Sequence, residues 1–435
     1  MANHRTFIQR AYALSALGLI SLTFACSSGE VNLGDGLVRQ DLSQPSRCSE
    51  SAVIEGDVRI ASQAELTSLA GCEVITGSLL IELFADADLA PLASLREVGQ
   101  QLGLGVYPAA PPATPEAEQA LLALQDTGYL PSLQGLESLE RAATLSLESV
   151  QITNLTELES LVALGSLNGF HLLNLQNLAG LERVSLEDLV LTDVPALENL
   201  DGLLMFDTVS GIVVQSAPNL TNIDPLTSVD FVNSLLMLSG TGLEALPEWP
   251  LSGVTQLFIE ANPSLTSIDG IDGIVGLVEL FLAGNPSLRT WPEFTGLMDL
   301  DFLTVVNTGI EEIRFDFPAF APQGLGVRDR TVVLSAPLVE IGFNPQLTRI
   351  ENPAGFASVQ NFSIYENERL TEVDLGTLTS SDLLIIDSNA TLNDVSAPSL
   401  ATVDQLVITN NPQLDPSALD DVQTFTREVS SNAAP

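Results

Sequence analysis

Apolar residues in this chain recur at fixed distances from one polar turn. In Gln256 to Ile268, Q-L-F-I-E-A-N-P-S-L-T-S-I, Leu257 and Ile259 alternate with polar or outward positions, as a half-buried strand requires. Asn262-Pro263 then breaks the strand, because Pro lacks a donor and Asn can bond its own backbone in a turn. Counted from the Asn, apolar residues fall at −5, −3, +3 and +6. The same template surrounds Asn285, Asn367 and Asn389, and Asn344 and Asn411 keep most of it. Val194, Ala217, Gly240 and Asn307 are assigned to the slot on the same apolar neighbours, and Gln63 heads an early copy. Slot spacings from Val194 onward are 23, 23, 22, 23, 22, 37, 23, 22 and 22. A period near 22 predicts a solenoid in which each repeat is one turn.

One rung of this length cannot fold alone. It buries roughly 6–18 kcal/mol of apolar side chains, while ordering its backbone costs about 22–44 kcal/mol. Stacking shares both surfaces between neighbours, and parallel pairing dictates right-handed coiling. The expected fold is therefore mainly β, a right-handed parallel β solenoid of about fifteen rungs at about 4.8 Å each. Stacked Asn side chains would satisfy backbone groups at each corner.

Along the chain, rungs begin with Val58-Ile60 and Leu79-Ile81, and the repeat body spans 47–415. A first insertion, 107–141, breaks it with Pro-rich 108–112. Thr114 is placed to cap a helix over 115–126, with Pro115 at its first position and Gly128 as a stop. Rungs then resume at Leu145-Leu147, Phe170-Leu172 and Leu189-Leu191. A second insertion occupies 315–330, and 416–435 reads as a cap and tail with a helix over Pro416 to Glu428.

The N-terminus and the cysteines point to export. His4, Arg5 and Arg10 precede the apolar run Ala11 to Ala25, a length that suits a secretory leader over 1–25. It ends in L-T-F-A-C-S-S-G, which resembles the lipobox of bacterial lipoproteins and implies a diacylated Cys26 followed by a tether over 26–46. That predicts a lipid anchor as the only membrane contact and, by analogy from Ser27, the outer membrane. Aligning V-I-E-G-D-V-R-I (53–60) with V-I-T-G-S-L-L-I (74–81) puts Cys48 and Cys72 near adjacent rungs, within reach of a disulfide.

The pattern L-x-I-x-x-N-P-x-L-T-x-I, with C-x…-V-I-x-G-x-V-x-I at its start, resembles the leucine-rich-repeat-like L domain of receptor ectodomains and its bacterial relatives. The resemblance implies a surface that binds a ligand or partner, not a reaction. It departs from the usual leucine-rich repeat in placing Leu three residues after the Asn, and no stretch between turns supports a regular helix in each repeat.

Composition narrows the partners. Acidic residues number 56 against 15 basic, every basic residue is Arg, and the formal charge is −41. This field opposes nucleic acid and anionic lipid, and suits a basic partner. His171 is the one His outside the leader, no zinc, P-loop or EF-hand spacing occurs, and no cofactor or metal is expected. A rival reading is a β-helix enzyme acting on acidic polysaccharide. It needs acid pairs beside cations in a positive groove, whereas Lys is absent and Asp420-Asp421 lies beyond the last rung. A purely structural envelope spacer is the third reading.

If −3 and −5 point inward, −4 points outward. From slot Leu175 to Asn411 it reads His171, Val190, Val213, Leu236, Phe258, Phe281, Leu303, Glu340, Ser363, Ile385 and Val407, while the inward positions are apolar except Thr304. The run from Val190 to Leu303 is expected to form an apolar ladder about 25 Å long. On this basis Val213, Leu236, Phe258, Phe281 and Leu303 are the candidate docking residues for a protein or glycan partner.

Overall fold

Parallel pairing of successive repeats builds one 19-stranded sheet, joined by a four-stranded and a two-stranded sheet on the return paths. The computed structural model describes residues 47–48, 51–106, 114–127, 130–271, 274, 276–292, 300–316, 337–415, 417 and 419–430. The segments read from sequence as a leader (1–25) and a tether (26–46), with Cys26, and most of the second insertion (317–330) lie outside them. The described residues belong to one unit, Pro45–Pro435.

Each rung contributes one strand of the large sheet with two inward side chains. One inward column runs Leu189, Ile212, Leu236, Leu257, Leu280, Leu303, Val339 and Phe362, each paired with the next. All eight are 0–1% exposed. The second column, through Leu238, Ile259, Leu282 and Val305, is equally buried. Return segments close the core with short strands such as Glu312–Asp316 and Arg349–Ala354. The solenoid is mainly β, with α-helix only at Gln63–Thr67 and Pro115–Thr127 among the described residues. The second helix matches the insertion helix expected after Thr114, whose hydroxyl accepts from Ala117 N at 3.2 Å.

The slot Asn residues are fully internal, and each ties its rung to the preceding one through both its side-chain oxygen and its side-chain nitrogen. Asn367 Oδ1 accepts from Asn344 N at 3.1 Å, and its Nδ2 donates to Ile341 O at 3.1 Å. Asn389 and Asn411 repeat the arrangement. The backbone amides at these corners lie where no water reaches, so the side chains supply the missing partners. Upstream, Val194 and Ala217 fill the slot with apolar groups instead.

One residue before the slot, the chain takes a left-handed step at successive rungs from Ser149 to Asn410. Ser149, His171, Asp193, Ser216, Ala261, Asn307, Phe343, Glu366, Ser388 and Asn410 have φ of 53° to 58°, and Gly240 and Gly284 hold the same place. In most of these the amide still donates to the carbonyl of the next rung, as Ala261 N does to Ala283 O at 2.8 Å. The step turns the strand without breaking the ladder, and so aims the slot side chain inward. A left-handed backbone strains an L residue, so the stacked ladder must hold it in place.

Three expectations are corrected. The slot in two rungs is Thr241 and Thr308, not Gly240 and Asn307: Thr241 N and Oγ1 both donate to Asn262 Oδ1, and Thr308 does the same to Asn344. In these rungs the downstream apolar residues follow one position sooner (Leu243, Ile310), so alignment on them slips the strand by one. Further upstream the slot is Leu172 rather than Leu175. The inward residue there is Gly169, where a Cβ would approach Leu191 and Leu172 side chains at 2.8 and 2.9 Å. Finally, the helix expected over Pro416 to Glu428 is not formed by the described residues from Leu419 to Glu428. Leu419 has φ 67°, and Gln423–Ser430 is a strand paired with Thr402–Thr409.

That last strand seals the core by changing residue type. Beside Leu406 it places Arg427, whose guanidinium donates to Leu419 O at 3.2 Å and meets Asp420 at 2.7 Å. At the other end Cys48 and Cys72 form the expected disulfide, with Cα atoms 5.1 Å apart. Beside it the helix Gln63–Thr67 is capped by Ser62, and Glu65 reaches back to Ala61 N.

Candidate partner-docking face

Register places three outward columns side by side on the large sheet. The middle column reads Val190, Val213, Met237, Phe258, Phe281, Thr304, Glu340, Ser363, Ile385 and Val407. Val213, Phe258 and Phe281 therefore stand on the outer face, as the alternation predicts. Leu236 and Leu303 do not: both point inward, at 0% and 1% exposure. The one-residue slip put them out of register, and such a slip moves every side chain to the opposite face. Met237 and Thr304 take their places.

The face is crowded. Val213 and Met237 are only 6% and 2% exposed although they do not belong to the interior core, so outer-face neighbours cover them. Phe258 and Phe281 are half-buried and meet edge to face, with ring centroids 5.5 Å apart. In the adjacent outward column, Leu235, Gln256, Glu279 and Phe302 pair in sequence, and Phe302 is 45% exposed. The accessible apolar surface here includes Leu235, Phe258, Phe281 and Phe302, and Leu338 continues it beside Phe302. Sequence reading missed Leu235 and Phe302. The available signal was Thr304, the lone polar residue that the slipped register forced into the core.

Carboxylates flank the phenyl pair of this surface on both sides. Glu260 follows Phe258 on its strand, and Glu279 precedes Phe281 on the next. Burial pushes both above the usual carboxylate range, and a hydrogen bond from Gln256 Nε2 at 2.8 Å partly offsets this for Glu279. Burial likewise raises Glu148, against the opposing charge of His171. It also raises Asp188, helped by the Glu187 charge and opposed by hydrogen bonds from Ser166 and the Gly211 backbone. Further along, Tyr365 donates its hydroxyl to Glu340, and its ring lies where a Cβ on Gly342 would sit. An open depression lined by Glu187, Phe206, Asp207, Thr208, Val209, Ser210 and Asn233 adjoins the entry to the strand Gly211–Ala217.

The left-handed column holds Ser149, His171 and Asp193 on successive rungs. His171 Nδ1 lies 2.5 Å from Asp193 Oδ2. The Ser149 hydroxyl is buried without a hydrogen bond, so no nucleophile–base contact completes the set. No group of three or more potential metal-ligating side chains occurs among the described residues.

The fold is that of a parallel β solenoid. No protein-family model matches the chain, and no curated protein matches its sequence. Solved structures similar to it include a leucine-rich-repeat protein of Leptospira interrogans, at 15% identity and TM-score 0.30, covering 86% of this chain and 88% of that one. A leucine-rich-repeat protein of Bacteroides thetaiotaomicron is similar at 12% identity and TM-score 0.36, covering 87% and 52%. The Drosophila Toll–Spatzle complex is similar at 14% identity and TM-score 0.36, covering 87% and 51%. The solenoid thus spans about half the length of the latter two.

Proposed function

We propose that this solenoid is a non-enzymatic binding protein of the cell envelope, exported, lipid-anchored through Cys26 at the outer membrane, and that it docks a protein partner on the outer face of its large sheet. The observation that carries the docking reading is the accessible apolar surface of Leu235, Phe258, Phe281 and Phe302 on a rigid parallel ladder. Apolar side chains concentrated within an otherwise acidic surface mark an interaction site. The leader, with its lipobox-like end, supports the location, and the disulfide suits an oxidising compartment.

Replacing Phe258 and Phe281 together with Ser tests the docking role. The double variant is expected to keep its thermal transition within a few degrees of wild type and to lose the partners that wild type retains from envelope extracts. Unchanged capture by a folded variant contradicts the assignment of the face. Intact-mass measurement tests the anchor: a mature chain beginning at Cys26 without acyl mass contradicts it.

A further inference from the structure

We infer that the segment docking on this face is a basic, amphipathic stretch of polypeptide, whose apolar side chains cover Phe258 and Phe281 and whose cationic groups meet Glu260 and Glu279. The inference rests on the docking reading above and specifies its partner. Three observations converge on it. Glu260 and Glu279 flank the phenyl pair on opposite sides, about 14 Å apart by the spacing of strands and residues. Neither is in an ion pair among the described residues, whereas the arginines of the four-stranded sheet are neutralised by Glu351 and Glu372. Both carboxylates are half-buried, so a cation placed beside them acts in a medium that screens it poorly.

Charge on the whole chain points the same way. At −41 the protein repels an acidic partner and draws a basic one, while the phenyl pair requires apolar contact as well. A purely polar polycation leaves Phe258 and Phe281 uncovered. A neutral apolar segment that covers the phenyl rings further desolvates Glu260 and Glu279 with nothing to compensate. A segment carrying both chemistries satisfies the face.

The test uses the folded mature protein and a synthetic amphipathic Leu/Lys peptide, with a Leu/Glu peptide of the same pattern and a chitosan oligosaccharide as comparison probes. The variants are Glu260→Gln with Glu279→Gln, Phe258→Ser with Phe281→Ser, and, on the four-stranded sheet, Glu312→Gln with Asp394→Asn. The Leu/Lys peptide is expected to bind. The Glu260/Glu279 pair should weaken it about ten-fold, against less than about two-fold for the Glu312/Asp394 pair, which changes net charge equally. Equal loss from both charge pairs reduces the effect to bulk attraction and overturns the inference. If the Phe variant abolishes binding while the Glu260/Glu279 variant does not, the face stands and its basic partner falls. If neither variant changes binding, both readings fall. Chitosan binding as tightly through the same four residues makes the partner a cationic glycan and also overturns the inference.

Discussion

At the residue scale, the slot before each corner decides stability because its polar atoms have no water to turn to. Asn367 holds Asn344 N and Ile341 O, and its neighbours in the ladder depend on it. Asn367→Ala leaves a buried donor and a buried acceptor without partners, and should lower unfolding free energy by about 2–4 kcal/mol. The same truncation at Val194 removes only methyl groups and should cost about 1–2 kcal/mol. Chemical denaturation of the two variants compares them directly; equal losses contradict the role given to the Asn ladder.

At the element scale, the strand registers carry the most information about the face. Leu303 is inward and Thr304 outward, so Leu303→Ser should destabilise by about 3 kcal/mol or more, and Thr304→Ser by less than about 1 kcal/mol. The reverse order would restore the slipped register. Most of the fold was legible in the sequence, because the alternation at Leu257 and Ile259 and the corner at Asn262 repeat with a period that only stacking explains. The slips arose where the corner is one residue shorter, at Thr241 and Thr308, and where Gly169 removes the side chain that marks the inward position. The final strand was hidden because its inward place is taken by Arg427, which reads as a surface residue until Asp420 and Leu419 are seen beside it. The outer face was half legible. Phe258 and Phe281 stand out in any register that keeps Asn262 and Asn285, but Leu235 and Phe302 belong to the face only once the two short corners are recognised.

At the scale of the whole molecule, charge and burial make stability depend on pH in a definite direction. Glu148, Asp188, Glu260 and Glu279 all sit above their ordinary values in the folded chain. The folded state therefore binds more protons than the unfolded one between the raised values and the usual carboxylate range, and stability falls as pH rises through that window. Conversely, lowering the pH from neutral to about 5 should raise the melting temperature, and easing of the −41 self-repulsion acts in the same sense. A melting temperature that falls over this interval contradicts the account. Glu260→Gln with Glu279→Gln should flatten the profile.

The claim on which the functional account turns is that one face of one sheet meets the partner. Site-specific photo-cross-linking in intact native cells reads this directly, with a photoreactive residue placed singly at Leu235, Phe258, Phe281 and Phe302, and at Glu312 and Asp394 of the four-stranded sheet. The account predicts one discrete protein adduct of the same mass from each of the first four positions and none from the last two. Adducts from Glu312 and Asp394 alone, or equally from all six, would contradict it.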